Sequence, residues 1–131
     1  FDNVDVGPSH SKEVSSVFLR HGRMMRIVAE EFNCKYLQIL QPTLGRGDYS
    51  PKAFENEFIA SAKDEYFNKL GKFYDEISAV VGKKGFEHVI DFSNIFIDGY
   101  GPLYKDLRHL NQQGNDILAD KIFDQIKTLL E

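Results

Sequence analysis

The chain lacks the features that mark membrane-spanning, disulfide-bonded and nucleic-acid-binding proteins. Its 131 residues include one cysteine, Cys34, so no internal disulfide can form. No apolar run approaches the roughly 20 residues that span a bilayer, and no basic-then-apolar leader opens the sequence. Sixteen Lys and Arg against 20 Asp and Glu give a net charge of -4, which leaves no broad positive surface for phosphates. The composition predicts a soluble protein that binds no nucleic acid, and it leaves the compartment open.

What is present is typical of a folded domain, because 42% of the residues are hydrophobic and 13% are aromatic. We expect one domain over residues 1–131, with an irregular polar segment at 1–10 that Gly7 and Pro8 interrupt. The first residue is Phe rather than Met. This start indicates a chain that begins inside a longer translation product or after processing.

Apolar periodicity predicts three helices and two strands. Residues 12–32, 51–81 and 111–130 repeat apolar side chains at three- and four-residue steps, as helices do. Residues 35–42 and 88–93 are short apolar runs typical of buried strands. Within this pattern the pair Met24 and Met25 is expected in the core, and Cys34 is expected to be a small buried residue.

The order helix, strand, helix, strand, helix predicts an α/β fold with a parallel strand pair joined by a right-handed crossover. Two parallel strands are too few for a stable sheet, since such sheets are covered on both faces and usually contain four or more strands. We therefore expect either a missing upstream segment or a homo-oligomer to complete the sheet.

Asp106 and His109 stand three residues apart, immediately before the last predicted helix. A carboxylate in this position can accept the imidazole Nδ1 proton, fix the tautomer and leave Nε2 as a base toward a hydroxyl. Ligands of open parallel sheets gather at the carboxyl ends of the strands, where this loop and the loop after Gln41 are expected to emerge. The plainer alternative is a histidine at a helix start that backbone groups satisfy.

The block Asp106-x-x-His109-Leu-Asn-x-x-Gly-Asn, followed by an Ile/Leu/Ala-rich helix, closely resembles the last block of the SGNH (GDSL-type) ester hydrolases. Agreement extends more weakly over residues 12–130. The resemblance implies part of a flavodoxin-like three-layer α/β/α sandwich with parallel strands, apparently without its amino-terminal strands. It implies that Asp106 and His109 are the orienting aspartate and the histidine base of a Ser-His-Asp triad, that no cofactor is needed, and that the substrate is a small ester, a lipid or an acetylated carbohydrate.

The chain departs from the family because its Gly-Asp-Ser, glycine and Gly-x-Asn blocks are not recognisable here. Gly47-Asp48-Tyr49-Ser50 resembles the Gly-Asp-Ser block only in composition, since it follows the wrong strand and has an extra residue before the serine. Asn3 lacks the glycine of the asparagine block, so it receives no role. We therefore expect the carboxyl-terminal part of a hydrolase, with its serine outside this chain and no activity alone.

Two other readings stay open. A non-catalytic relative would bind a carbohydrate or a protein partner through an aromatic loop formed by Tyr100, Leu103 and Tyr104. An O-acyltransferase would use the same catalytic pair with a polysaccharide hydroxyl as acceptor.

Several further patterns carry little weight. Arg46-Gly47-Asp48 matches an integrin-recognition tripeptide that any polar loop can contain. Asp91 and Asp98 either border the cleft or cap loops. No paired metal-ligand spacing connects the remaining histidines, which are His10, His21 and His88.

Overall fold

A computed structural model describes residues 10–131, with side chains from residue 12 onward. The described chain is a mixed α/β structure, as predicted. Its helices are α1 (His10–Glu31), α2 (Ala53–Ser61), α3 (Asp64–Ser78) and α4 (Gln112–Leu130), and its strands are β1 (Gln38–Leu40) and β2 (Val89–Asp91). No helix in this described part is long and apolar enough to cross a membrane.

The sheet of the described residues consists of β1 and β2, which pair in parallel. Gln38 lies opposite Val89 and Leu40 opposite Asp91. The backbone N–H of Gln38 donates to the carbonyl of His88 at 2.8 Å, which extends the pairing toward the start of β2. The predicted parallel pair is confirmed, although both strands are shorter than the apolar runs that predicted them.

The long helix predicted over residues 51–81 is wrong, because the chain breaks it into α2 and α3. Ala62 between them is extended, with φ -85° and ψ 148°. The Ser61 hydroxyl donates to the carbonyl of Phe58 at 2.7 Å, and Asp64 puts a negative charge at the start of α3. Both side chains favour helix ends over helix interiors. Because the apolar spacing continues across this break, the sequence pattern predicted one helix instead of two.

The described chain forms two compact units, and the first contains residues 10–40 and Glu65–Asp91. Its core joins side chains of β1, α3 and β2 with partly buried residues of α1, and its fully packed members are Leu40, Tyr74, Ile77 and Val89. The rings of Phe18 and Phe73 meet edge to face with centroids 5.7 Å apart. This unit thus gathers the sheet and two of the helices around one cluster.

Helix α1 packs through Phe18 and Leu19 and through a close approach at Gly22, and not through its methionines. A Cβ atom on Gly22 would lie 1.7 Å from Gln38 Oε1, so the Gln38 side chain lies directly against this glycine. The prediction that Met24 and Met25 lie in the core is wrong, since they are 57% and 53% exposed. Cys34, also expected to be buried, is exposed.

The second unit contains Gln41–Asp64 and Phe92–Glu131. Its core is aromatic, with Tyr104 contacting the rings of Tyr49 and Phe96 at centroid distances of 6.0 and 5.8 Å. Ile117 and Leu118 of α4 pack against this cluster. Helix α4 begins and ends within one residue of the predicted 111–130, so this prediction is confirmed.

Candidate active site

Residues 103–111 form a narrow loop that carries both predicted catalytic residues. Tyr104 and Leu110 make an isolated antiparallel bridge. The N–H of Lys105 donates to the His109 carbonyl at 2.8 Å. The N–H of Asn111 donates to the Leu103 carbonyl, also at 2.8 Å. Asp106 therefore lies in a tight turn whose two sides are hydrogen-bonded to each other.

The structure brings Asp106 and His109 into direct contact, with Asp106 Oδ2 2.8 Å from His109 Nδ1. The other oxygen, Oδ1, accepts the backbone N–H of Arg108 at 2.8 Å and of His109 at 2.9 Å. These two amide bonds, and then the His109 ring, lower the pKa of Asp106 to about 2. An ionised carboxylate can only accept hydrogen bonds, so Nδ1 carries the ring proton.

The opposite nitrogen of His109, Nε2, has no hydrogen-bond partner among the described residues. The His109 side chain is 78% exposed. A neutral imidazole with Nδ1 protonated and Nε2 unoccupied is the form that can remove a proton from a hydroxyl. The geometry therefore supplies an oriented and accessible base.

Helix α4 begins immediately after this turn, and its first residues explain the rest of the sequence block. Asn111 caps the helix, because its Oδ1 accepts the N–H of Gly114 at 3.0 Å. Its Nδ2 donates to the carbonyl of Pro102. A Cβ atom on Gly114 would lie 2.6 Å from the Leu103 carbonyl oxygen, so this position needs glycine.

Glu55 of α2 holds the start of the loop, and sequence reasoning missed it. Its side chain is completely buried. Oε1 accepts the N–H groups of Leu103 and Tyr104 at 2.8 and 2.9 Å, and Oε2 accepts the Lys52 N–H at 2.7 Å and the Tyr49 hydroxyl at 2.8 Å. Burial acts to raise the pKa of Glu55, but these four bonds outweigh it and hold the pKa below its usual value.

A signal for Glu55 was present in the sequence. It is the third residue of α2, and its carboxylate reaches back to the N–H of the N-cap residue Lys52. A glutamate three residues after a helix cap is the spacing of a capping box. The sequence could thus have placed Glu55 at a helix start, but its second contact, with residues 103 and 104, depends on the fold.

The loop after β1 supports the tip of the loop that carries Asp106 and His109. The Thr43 hydroxyl donates to the Leu107 carbonyl at 3.0 Å, and the Leu44 N–H donates to the same oxygen at 3.1 Å. The predicted meeting of these two loops is confirmed within the second unit. Leu107 lies between Asp106 and Arg108, so this contact holds the turn itself.

Ser50 is the residue that resembles the serine of the Gly-Asp-Ser block in composition. It forms hydrogen bonds with Asp98 and not with His109. The Ser50 N–H donates to Asp98 Oδ1 at 3.1 Å, and hydrogen bonds from Ser50 lower the pKa of Asp98. Asp48 of the Arg-Gly-Asp tripeptide is occupied as well, since its carboxylate accepts from Asn94 Nδ2 at 2.8 Å. Asp98 thus caps a loop, which is the plainer of its two interpretations.

The aromatic binding surface considered for residues 100–104 does not form. Leu103 is completely buried and Tyr104 is 2% exposed, while Tyr100 is 37% exposed. Leu103 and Tyr104 belong to the core of the second unit, so they cannot stack on a sugar or a partner. Of the three residues named for a carbohydrate-binding or protein-binding relative, Tyr100 is therefore the one that stays exposed.

The remaining candidates do not join the site. Asp91 accepts the hydroxyl of Ser78 in the first unit. Asn3 and the side chain of His10 lie outside the described residues. Among the residues that are described, no three His, Cys, Asp or Glu side chains come close enough to hold a metal ion.

Comparison of the chain with protein-family models, with characterised proteins and with solved structures finds no match. The assignment of a function therefore depends on the site's own geometry. That geometry consists of an ionised carboxylate, an imidazole whose Nδ1 it engages, and a loop held from three sides by Glu55, by Thr43 and Leu44, and by the cap of α4.

Proposed function

We propose that this chain is the carboxyl-terminal part of an SGNH-type serine ester hydrolase. Asp106 orients His109, and His109 deprotonates a serine that lies outside these residues. The observation that carries the proposal is the 2.8 Å contact between Asp106 Oδ2 and His109 Nδ1, with Nε2 left accessible.

In the proposed reaction, Nε2 of His109 accepts the serine proton as the serine oxygen attacks the ester carbonyl. The imidazolium formed in this step is stabilised by Asp106, which stays ionised because its pKa is about 2. Nε2 then returns the proton to the departing alkoxide, and a second round with water releases the acid. The substrate class is a small ester, a lipid or an acetylated carbohydrate. A polysaccharide hydroxyl in place of water would give acyl transfer by the same base.

The fold proposed for the whole enzyme is a flavodoxin-like three-layer sandwich. In the register of β1 with β2, the backbone of Gln38 faces β2, because its N–H donates to the His88 carbonyl. Backbone groups alternate in direction along a strand, so those of Ile39 face the other edge of β1. We propose that an upstream strand pairs at this edge of β1 and extends the sheet of the first unit. A base without nucleophile and oxyanion donors loses most of the rate enhancement, so this chain alone is inactive.

The test of this proposal is hydrolysis of p-nitrophenyl acetate by the intact gene product and its variants. His109→Ala is expected to lower kcat by about 10⁴-fold or more, since a triad fails when its base is removed. Asp106→Asn is expected to lower kcat by about 10³- to 10⁴-fold, because it favours the wrong tautomer. The control is His21→Ala on the exposed surface of α1, which should leave kcat unchanged. Retention of more than about a tenth of the activity in His109→Ala would rule out the proposed base.

A further inference from the structure

We propose that Glu55 is a positioning residue for the Asp106–His109 base, and that it acts as a carboxylate. This inference goes beyond the catalytic pair and rests on the proposed function. Glu55 is a negatively charged side chain with no exposed surface, and it is 48 or more residues away in sequence from the loop that it contacts. A buried charge without hydrogen bonding is strongly unfavourable, and the four donors around Glu55 offset this cost.

The two oxygens of Glu55 have separate tasks. Oε2 accepts the Lys52 N–H and the Tyr49 hydroxyl, and thus completes the start of α2. Oε1 accepts the consecutive N–H groups of Leu103 and Tyr104, the residues that lead into the catalytic turn. The carboxylate therefore ties the first turn of α2 to the strand-like entrance of the loop that carries Asp106.

The contact between Asp106 and His109 is local to the turn, because Asp106 bonds only residues two and three positions ahead. Glu55 is not needed to make this pair. It is needed to fix where the pair lies in the second unit, since the turn is otherwise attached through Leu107 and through the cap of α4. Displacement of a catalytic group by about 1 Å can lower a rate by about a hundredfold.

Glutamine at position 55 tests the charge with little change in volume. Its oxygen can still accept from the loop, but its NH₂ group then faces the N–H of Lys52, and two donors repel. In the intact gene product, Glu55→Gln should lower kcat by about ten- to a hundredfold with little change in KM. Glu55→Asp keeps the charge but shortens the side chain by one methylene. If Glu55→Gln does not fold, Glu55→Asp is measured in its place.

The matched control is Tyr49→Phe, which removes one hydrogen bond from the same buried carboxylate and leaves both bonds to the loop. It should keep kcat within about threefold of the parent, because the loop amides remain held. An equal loss of kcat in Tyr49→Phe would show that Glu55 acts only through general stability. Unchanged kcat in Glu55→Gln would also overturn the inference.

A second readout does not depend on hydrolysis. In ¹⁵N-labelled protein, the amide resonances of Leu103 and Tyr104 should shift, and their hydrogen exchange should accelerate, in Glu55→Gln but not in Tyr49→Phe. Unaltered amides in Glu55→Gln would contradict the positioning role whether or not the protein is a hydrolase. An intact gene product without esterase activity, but with the expected amide changes, would refute the proposed function while supporting the anchoring of the loop by Glu55.

Discussion

Asp106 shows how one side chain can organise a turn and a candidate base together. The sequence predicted its contact with His109 from spacing alone, because residues three apart in a turn are neighbours. It did not predict that the second oxygen would accept two backbone N–H groups. These amide bonds are the largest cause of the lowered pKa, so the backbone rather than the histidine does most to keep Asp106 ionised.

His88 is the opposite case, a buried titratable side chain without hydrogen bonds. It is 4% exposed, and neither ring nitrogen has a hydrogen-bond partner within the described part of the chain. Burial first, and then the positive charge of Arg26, lower its pKa below the usual 6.5, although Glu30 and Glu87 oppose this. The sequence placed His88 at the start of the predicted buried strand 88–93 and found no paired metal-ligand spacing for it, but the missing hydrogen bonds of its ring depend on the fold.

The lowered pKa of His88 predicts a loss of stability in acid. Below about pH 6.5 the unfolded chain binds a proton at His88 more readily than the folded chain does. The contribution of His88 to the free energy of unfolding should therefore be constant well above pH 6.5 and should decrease as the pH falls below it. Urea unfolding of the parent and of His88→Phe at pH 8 and pH 5.5 measures this difference.

In His88→Phe the free energy of unfolding should decrease less between pH 8 and pH 5.5 than in the parent. The phenylalanine ring fills the site next to Tyr36 but does not titrate. Its stability at pH 8 should not fall much, since replacing an unsatisfied buried polar group by an apolar one is nearly neutral. His21→Gln on the exposed side of α1 serves as the control. The same decrease in the parent and in His88→Phe would show that other groups cause it.

At the scale of the elements, apolar periodicity predicted where the helices lie but not which face of each helix packs against the core. It predicted α1 and α4 closely, and it joined α2 and α3 because apolar spacing continues through Ala62. In α1 it selected Met24 and Met25 for the core, whereas Gly22 makes the close contact with β1. A pattern shows which residues are apolar, but the partner of each face is set by tertiary contacts.

The contact between the start of α4 and the Asp106–His109 loop predicts an unusual effect of alanine. Alanine normally stabilises a helix relative to glycine by about 0.5–1 kcal/mol. At Gly114 its Cβ would lie 2.6 Å from the Leu103 carbonyl oxygen. Gly114→Ala should therefore destabilise the protein by about 1–3 kcal/mol, as overpacking does. Urea denaturation of the two proteins measures the change.

Gly71 offers the matched comparison within α3. A Cβ atom there meets nothing within 4 Å, so Gly71→Ala should stabilise the protein by about 0.5–1 kcal/mol. Opposite signs for the two substitutions are expected. A stabilising Gly114→Ala would mean that α4 does not approach the Leu103 carbonyl in the way described.

At the scale of the whole molecule, the sequence predicted the α/β class and the parallel strand pair. It did not predict that the described chain would divide into two units, one around Ile77 and Val89 and the other around Tyr104. The reason is that segments distant in sequence alternate between the units, and composition is similar in both. The candidate pair was predictable because it is local, whereas Glu55 was not, because its contact spans 48 residues.

The measurement that tests the central claim most directly is labelling of the intact gene product with a serine-reactive fluorophosphonate, followed by peptide mapping by mass spectrometry. The account predicts an adduct on a serine outside residues 1–131, and its disappearance in His109→Ala. An adduct on Ser50, an adduct that persists in His109→Ala, or no adduct at all would contradict the assignment of Asp106 and His109 to a serine hydrolase.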